Sequence, residues 1–284
     1  GLFLAGRALR PIERLTQTAR AIHPGDLGRR VGYVGPMDEI GRLAATLDDM
    51  LARLEAGFVR ERRFAADAAH ELRTPLAALK GRIGVTLSRP RLPADYVAAL
   101  MEMEAQVDKL GRLSDDLLLM ARLSADGQRP AWEPIVLADF LPVVLDVARP
   151  LADAKEIELT LDAPTGLLVH SHLDWLTRLL LNLLDNAIKY TPAGGRVALS
   201  ARQTAGAVEI AVGGSGPGAA PRPLPHLFER FYRADHDRAR ASGGAGLGLA
   251  LAQEIARLHD GRLSVSSELG RGSTFIVCLP DVHS

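Results

Sequence analysis

The chain of 284 residues has little cysteine, no excess of charge of either sign and no long apolar run. Its single cysteine, Cys278, excludes an intramolecular disulfide and a thiolate metal cluster, and this usage suits the cytoplasm. Lys plus Arg and Asp plus Glu each number 34, so bulk positive charge offers no basis for direct binding to nucleic acid. No run approaches the roughly 20 apolar residues of a membrane helix. What remains is a neutral chain long enough for two or more compact units.

The start of the chain is apolar over residues 1–6 and turns basic at Arg7 and Arg10. This pattern is typical of the last turn of a membrane helix that begins before Gly1, with positive charge on the cytoplasmic side. An ordinary frayed terminus produces the same pattern. On the first interpretation, the segment that precedes residue 7 attaches the chain to a membrane.

Residues 7–57 contain two short amphipathic patterns joined by a glycine-rich connector. The first pattern has apolar residues at helical spacing, namely Leu9, Ile12, Leu15, Ala19 and Ile22. The second opens at Asp38 and Glu39, where acids suit the positive end of a helix. Its seam consists of Leu43, Leu47, Met50 and Leu54. Two such helices cannot bury their faces alone, which favours a parallel bundle with a partner chain over the alternative, an antiparallel hairpin.

Residues 58–125 predict a long helical hairpin. The first helix runs from about Phe58 to Ser88, and the prolines at 90 and 93 break it. The second helix reaches Ser124. Some apolar side chains are not covered when these two helices pair, and we expect them to be exposed in a monomer: Leu113, Leu118, Leu119 and Met120. The leftover surface predicts a dimeric four-helix bundle, and residues 126–131 form a linker to the next unit.

His70 is the most reactive side chain predicted on the first hairpin helix. At about 100° per residue it lies roughly 200° from the apolar Leu72, so it faces solvent. Glu71 is adjacent, and Thr74 shares the face of His70 one turn on. Pro75 removes a backbone donor, and we expect the helix to bend or loosen there. The cluster suits chemistry on a helix, although a solvated surface histidine fits this stretch equally well.

Residues 132–281 alternate between strand and helix patterns, which predicts an α/β sandwich with mixed strand pairing. The predicted helices are 138–153, 172–190 and 247–259. The predicted strands are 135–137, 155–161, 196–202, 207–212, 262–267 and 273–279.

Polar side chains on the second of these helices indicate a nucleotide site. Asn182, Asn186 and Lys189 step by four and three, so they line one polar face of an otherwise apolar helix. Amide oxygens suit a hard, hydrated Mg²⁺, and a lysine suits phosphate. The alternative is a capped, partly exposed helix end.

Two glycine runs and a third short motif extend this pattern. Residues 213–218 follow a strand, and residues 243–249 open a helix, where backbone N–H groups can approach phosphate oxygens. The polar stretch between the runs, which contains Phe228 and Phe231, predicts a mobile lid with aromatic anchors. Residues 270–275 form either a simple hairpin turn or the back of the nucleotide pocket.

Taken in order, these motifs resemble those of bacterial membrane sensor histidine kinases of two-component systems. The resemblance implies an all-α helical bundle, made of a HAMP relay (7–57) and a dimeric hairpin (58–125). An α/β sandwich of the GHKL ATPase type, shared with gyrase and Hsp90, follows at 132–281. It also implies a homodimer at the inner membrane, with residues 7–284 in the cytoplasm, that phosphorylates itself from Mg²⁺-ATP. The phosphoryl group would then pass to an aspartate of a response regulator.

The resemblance also assigns roles to residues. His70 is the phosphoacceptor, Glu71 orients its ring and accepts a proton, and Thr74 positions water when the enzyme acts as a phosphatase. Asn186, with Asn182, holds Mg²⁺. The remaining residues implied at the nucleotide or its lid are Lys189, Tyr190, Gly216, Gly218, Phe228, Phe231, Gly244, Gly246, Leu247, Gly248 and Thr274.

One position departs from the pattern of the resembled family. An aspartate that accepts a hydrogen bond from the adenine amino group is expected where this chain has Gly214, and no residue from Ala211 to Ala220 is acidic. Losing a charged acceptor in a buried pocket costs about 1.5–3 kcal/mol. The alternative function is therefore a kinase-deficient scaffold or a phosphatase-biased module. A lesser departure is His172, where the family often has an acid before the asparagine-bearing helix.

Overall fold

A computed structural model describes residues 28–124, 132–204, 206–218, 226–232 and 246–280. The chain divides into two compact units, Gly1–Glu71 and Leu72–Ser284, and each is described by itself. The apolar start, the first predicted amphipathic helix and the linker at 126–131 lie outside the described residues.

In the first unit, helix α1 (Glu39–Leu87) begins at a side-chain cap. Asp38 Oδ1 accepts hydrogen bonds from the backbone N–H groups of Ile40 and Gly41, at 3.1 and 3.0 Å. This cap satisfies donors that have no partner within the helix. The prediction of separate helices before and after residue 57 was wrong, because α1 continues unbroken for 49 residues. Gly57 alone costs a helix only about 1 kcal/mol, and no proline accompanies it.

In the second unit, the end of α1 forms a hairpin with α2 (Pro93–Ser124). The helix continues through Pro75, and it ends where the Arg91 guanidinium donates to the carbonyls of Val85 and Thr86, at 2.7 and 3.3 Å. A positive charge at this position satisfies the last carbonyls of the helix.

Two of the predicted leftover side chains on α2 are buried within a single chain. Leu113 and Met120 are 7% and 1% exposed, whereas Leu118 is 56% exposed. The expectation that all of them would be exposed in a monomer was therefore wrong. Helix α2 packs against helix α5 (Gly248–Leu258) of the sandwich, a contact that the hairpin prediction did not include.

The sandwich is built on a mixed sheet of five strands in the order β2-β4-β5-β7-β6. These strands are β2 (Glu158–Asp162), β4 (Arg196–Thr204), β5 (Ala207–Gly214), β6 (Arg262–Glu268) and β7 (Gly272–Pro280). β2 and β4 are parallel, and the other neighbours are antiparallel. The predicted α/β sandwich is confirmed, and the observed ends lie within three residues of the predicted ones.

Helices α3 (Leu137–Asp153), α4 (Leu173–Tyr190) and α5 bury their apolar stripes in the core of this unit. Alternate residues of the central strands are buried, as expected for a sheet with one covered face: Val197, Leu199, Val208, Ile210, Val212, Phe275, Val277 and Leu279. A ribbon of β1 (Glu133–Val136) and β3 (Leu168–Ser171) lies apart from this sheet. Strand β3 was not predicted from the sequence.

Candidate functional site

The predicted phosphoacceptor residues lie on the continuous helix α1. His70 and Thr74 are exposed, and Glu71 is half-buried. A histidine with its ring in solvent is accessible to a second domain or a partner protein. The outward orientation predicted for His70 from helical periodicity therefore agrees with its exposure.

Helix α4 presents the predicted amide face next to a well-buried apolar face. Leucines at helical spacing anchor it, because Leu176, Leu179, Leu180, Leu183 and Leu184 have no exposed surface. Asn182, Asn186 and Lys189 are half-buried on the remaining face. The Nδ2 atom of Asn182 is buried without a hydrogen-bond partner among the described residues. A buried amide of this kind is suited to a ligand or to water.

Helix α5 begins directly against the amide of Asn182. A Cβ atom added at Gly248 would lie 3.1 Å from Asn182 Oδ1. The free N–H groups at the start of a helix attract phosphate, so the arrangement brings an anion site beside amide oxygens. Gly246, Leu247 and Gly248 all lie at this start, and the buried Leu247 side chain fixes the helix in the core. Gly244 lies outside the described residues.

The glycine loop after β5 is held between the end of α4 and the turn between β6 and β7. A Cβ at Gly216 would lie 2.6 Å from the carbonyl oxygen of Tyr190. Gly218 has φ +69°, and its Cβ would lie 2.1 Å from the carbonyl oxygen of Glu268. Only glycine fits such close approaches of two backbones. The loop, the end of α4 and the motif at residues 270–275 are therefore brought together.

Gly214 and Thr191 face each other at this end of the sheet. A Cβ at Gly214 would lie 2.7 Å from Thr191 Oγ1. Thr191 is 1% exposed, and its hydroxyl has no hydrogen-bond partner among the described residues. Thr274 lies alongside, with its Oγ1 atom 3.1 Å from the position of a Cβ at Gly213. Thr191 was not predicted as a site residue, although its position directly after the predicted residue Tyr190 was a usable signal.

Lys155 fixes the end of α4 and was also missed. Its ammonium group donates to the carbonyls of Ile188, Lys189 and Thr191, at 3.0, 2.8 and 3.3 Å. A cation at a helix C-terminus satisfies carbonyls that have no intrahelical partner and interacts favourably with the helix dipole. No sequence signal pointed to it, because the two segments are more than 30 residues apart.

The predicted lid anchors contact the site from the side of β7 and α5. The Phe228 ring packs edge-on against Phe275, with ring centroids 6.5 Å apart. The Phe231 N–H donates to the carbonyl of Gly246 at 3.0 Å. Phe231 has φ +62°, a strained value for a bulky residue, and such strain is concentrated at functional sites. Both phenylalanines thus contact elements that border the candidate nucleotide site.

An ion pair joins α2 to α4. The Arg178 Nε donates to Asp116 Oδ1 at 3.0 Å, and a second guanidinium nitrogen contacts the same oxygen. Burial raises the pKa of the Asp116 carboxyl, although the hydrogen bond and charge of Arg178 act in the opposite direction. The side chains are only 16% and 30% exposed for Asp116 and Arg178.

The donors around α4 fit Mg²⁺ bound together with a nucleotide. The described residues contain no group of three or more His, Cys, Asp or Glu that could enclose a metal on its own. Mg²⁺ commonly takes few protein oxygens and completes its octahedron with water and substrate phosphates. The Asn182 amide beside the start of α5, with Asn186 one turn further along α4, meets that requirement.

Family models match three consecutive parts of the chain. Residues 3–56 match the HAMP domain, and residues 60–126 match the His Kinase A (phospho-acceptor) domain. Residues 171–283 match the family described as histidine kinase-, DNA gyrase B- and HSP90-like ATPase. Within the part of the chain that the structure describes, no helix combines the length and apolarity needed to cross a bilayer.

Individual relatives are similar in sequence to this chain over most of its length. The sensor protein CutS of Streptomyces coelicolor is 36% identical over 99% of this chain and 67% of its own. The histidine-protein kinase/phosphatase MprB of Mycolicibacterium smegmatis is 37% identical over 95% of this chain and 55% of its own. The chain thus spans between half and two thirds of these relatives. The crystal structure of full-length ShkA in complex with AMPPNP is 29% identical, with a TM-score of 0.58, over 78% of this chain and 46% of its own.

Proposed function

The chain belongs to the two-component sensor histidine kinases, and we propose that it phosphorylates its own His70 from Mg²⁺-ATP and passes the phosphoryl group to an aspartate of a response regulator. The observation that carries the proposal is the convergence of a helix start, an amide face and a glycine loop around α4. This nucleotide fold follows a hairpin that carries an exposed histidine in the same chain. Phosphoryl transfer needs such positioning and charge neutralisation more than covalent work by the protein.

One group of residues would form the phosphoryl acceptor, and a second group would bind the nucleotide. A neutral imidazole is a competent nucleophile near pH 7, and the Glu71 carboxylate would hold the proton of one ring nitrogen. The other nitrogen of His70 would attack the γ-phosphorus while the bond to the β-phosphate oxygen breaks. Glu71 then accepts the imidazolium proton. Asn186, with Asn182, would hold Mg²⁺, which when bound would supply positive charge next to the phosphates. Lys189 and the start of α5 would orient the nucleotide.

Two substitutions of exposed histidines test the proposal. The purified 284-residue chain, incubated with γ-labelled ATP and Mg²⁺, should acquire an acid-labile, alkali-stable label. His70→Gln should abolish it, whereas His170→Gln, which replaces an exposed histidine on β3, should retain it. No label at millimolar ATP, or a label that survives in His70→Gln, would overturn the proposal.

The family dimerises through its His Kinase A hairpin and pairs with response regulators. We propose the same dimer for the present chain, because several apolar side chains of α1 and α2 are exposed, including Leu76, Leu100 and Val107. We also place the protein at the inner membrane with residues 7–284 in the cytoplasm, supported by the HAMP match and by basic residues after the apolar start. Light scattering of the purified chain should give twice the mass of 30.5 kDa.

A second candidate function, a scaffold or phosphatase-biased module, is favoured by Gly214. This position offers no carboxylate to the nucleotide base, and dephosphorylation of a partner by Thr74 would require no ATP turnover. Thr74→Ala should then abolish dephosphorylation of the response regulator and leave its binding intact. An unchanged rate would argue against a phosphatase role.

A further inference from the structure

We infer that the Thr191 hydroxyl reads the base of the bound nucleotide, and that the pocket consequently accepts guanine as well as adenine nucleotides. The inference rests on the proposed function and names the substrate class of the same site. Its starting observation is a buried hydroxyl without a hydrogen-bond partner among the described residues, on a residue that is 1% exposed. Native proteins rarely leave such a group unsatisfied, because burying it alone costs free energy.

The hydroxyl is the only polar group of Thr191 that is left for a ligand. The backbone N–H of Thr191 donates to the Ala187 carbonyl at 3.0 Å. Its carbonyl accepts from the Lys155 ammonium group at 3.3 Å. Its methyl group packs against Gly195, where an added Cβ would lie 2.4 Å from Cγ2. The backbone is therefore fixed, and the hydroxyl is held towards Gly214.

The position of Thr191 matches the base end of a nucleotide. Phosphates bind at the start of a helix, and α5 starts against Asn182. Thr191 follows Asn182 by nine positions along α4, which at 1.5 Å per residue is about 13 Å. An extended nucleoside diphosphate spans a comparable length. A nucleotide with its phosphates at α5 therefore brings its base to Thr191 and Gly214.

The side chains that contact Gly213 and Gly214 carry no charge. They are Thr274 beside Gly213, and Thr191 and Ala187 beside Gly214. The Lys155 ammonium group lies on the carbonyl side of Thr191. The acid on β5, Glu209, pairs with Arg202 near the far end of the strand. Gly213 and Gly214 add no side-chain volume. The contacts that the structure describes around Gly213, Gly214 and Gly216 therefore include no carboxylate that would repel the O6 oxygen of guanine.

The chemistry of a hydroxyl differs from that of a carboxylate in one decisive respect. An ionised carboxylate only accepts hydrogen bonds, so it favours the amino group of adenine and repels the carbonyl of guanine. A threonine hydroxyl accepts from the amino group or donates to the carbonyl. An aspartate introduced at position 214 would have its Cβ 2.7 Å from Thr191 Oγ1 and would displace the hydroxyl. Selectivity for adenine should then appear.

Calorimetric titration of the full chain with Mg²⁺-ADP and Mg²⁺-GDP tests the inference. We expect the two dissociation constants to agree within about tenfold, a difference of at most about 1.4 kcal/mol. Thr191→Val, which keeps the shape and removes the hydroxyl, should weaken both nucleotides by roughly three- to tenfold. Thr191→Ser should restore binding. Gly214→Asp should tighten ADP and disfavour GDP by about 30-fold or more.

The outcomes separate this inference from the proposed function. ADP binding more than about a hundredfold tighter than GDP binding would overturn the inference and leave the kinase intact. Unchanged affinities in a Thr191→Val protein with an unaltered melting temperature would also overturn it. If that variant fails to fold, the ratio of the ADP and GDP dissociation constants of the unaltered chain still tests the inference. Failure of both nucleotides to bind at millimolar concentration would instead refute the proposed function.

Discussion

Removing one partner of the Asp116–Arg178 pair should loosen the attachment of α2 to the sandwich. The pair lies between two helices and is largely withdrawn from water. Breaking a fully buried pair on one side costs about 3–5 kcal/mol, and a hydrogen bond to a charged group contributes about 1.5–3 kcal/mol. Because Arg178 remains 30% exposed, we expect about 1.5–2.5 kcal/mol for Asp116→Leu or Arg178→Met, at the lower end of these values.

A double-mutant cycle isolates the contribution of the pair. The double variant Asp116→Leu/Arg178→Met leaves no unpaired charge, so it should be less destabilised than the sum of the single variants by about 1 kcal/mol or more. Denaturation followed by tryptophan fluorescence is suitable, because both tryptophans, Trp132 and Trp175, lie in the second unit. Additive single changes would show that the two side chains do not stabilise each other.

The same pair predicts a direction of pH dependence. Because burial raises the pKa of Asp116, the folded protein holds its proton more tightly than the unfolded chain. The stability that this proton contributes is present below the ordinary aspartate pKa, 3.8, and is lost as pH rises through the raised value. Asp116→Asn should remove this contribution to the dependence of the unfolding free energy on pH. A contribution that instead grows with pH would show that Arg178 outweighs burial.

Three further substitutions test the site. Gly218→Ala should destabilise the fold by more than about 1–2 kcal/mol, because a left-handed backbone is combined with a clash at the Glu268 carbonyl. Gly166→Ala, with φ +90° and open space, is the matched control, and equal melting temperatures for the two variants would refute the clash. Lys155→Met should cost about 1–3 kcal/mol in denaturant unfolding by leaving helix carbonyls unpaired; a neutral effect would mean that water replaces the ammonium group. His172→Asp should stabilise α4 by about 1 kcal/mol, because the present N-cap makes no side-chain hydrogen bond. An unchanged melting temperature would count against that cap.

Periodicity predicted most of the sandwich because its elements are short and strongly patterned. Alternating burial along β4, β5 and β7 and leucine spacing along α4 are local properties, which a sequence displays directly. The predicted boundary between two helices near residue 57 was wrong, because α1 runs through that position to Leu87. A lone glycine does not end a helix that is otherwise well supported.

The residues that the sequence did not reveal depend on contacts between distant segments. Leu113 and Met120 resembled surplus apolar residues of a hairpin, but both are buried in the folded chain, where α2 also packs against α5. Lys155 and Thr191 stand more than 30 positions apart, so nothing in the sequence around Lys155 shows that it donates to the end of α4. The buried environment of the Thr191 hydroxyl follows only from its contact with Gly214 in the folded chain.

Peptide mapping of the full chain after incubation with Mg²⁺-ATP, analysed under alkaline conditions that preserve phosphohistidine, tests the central claim most directly. The proposed function predicts one phosphoryl group on the peptide that contains His70 and none on the peptides that contain the other histidines. A chain that binds Mg²⁺-ATP and leaves His70 unmodified, or that is phosphorylated at another residue, would contradict it.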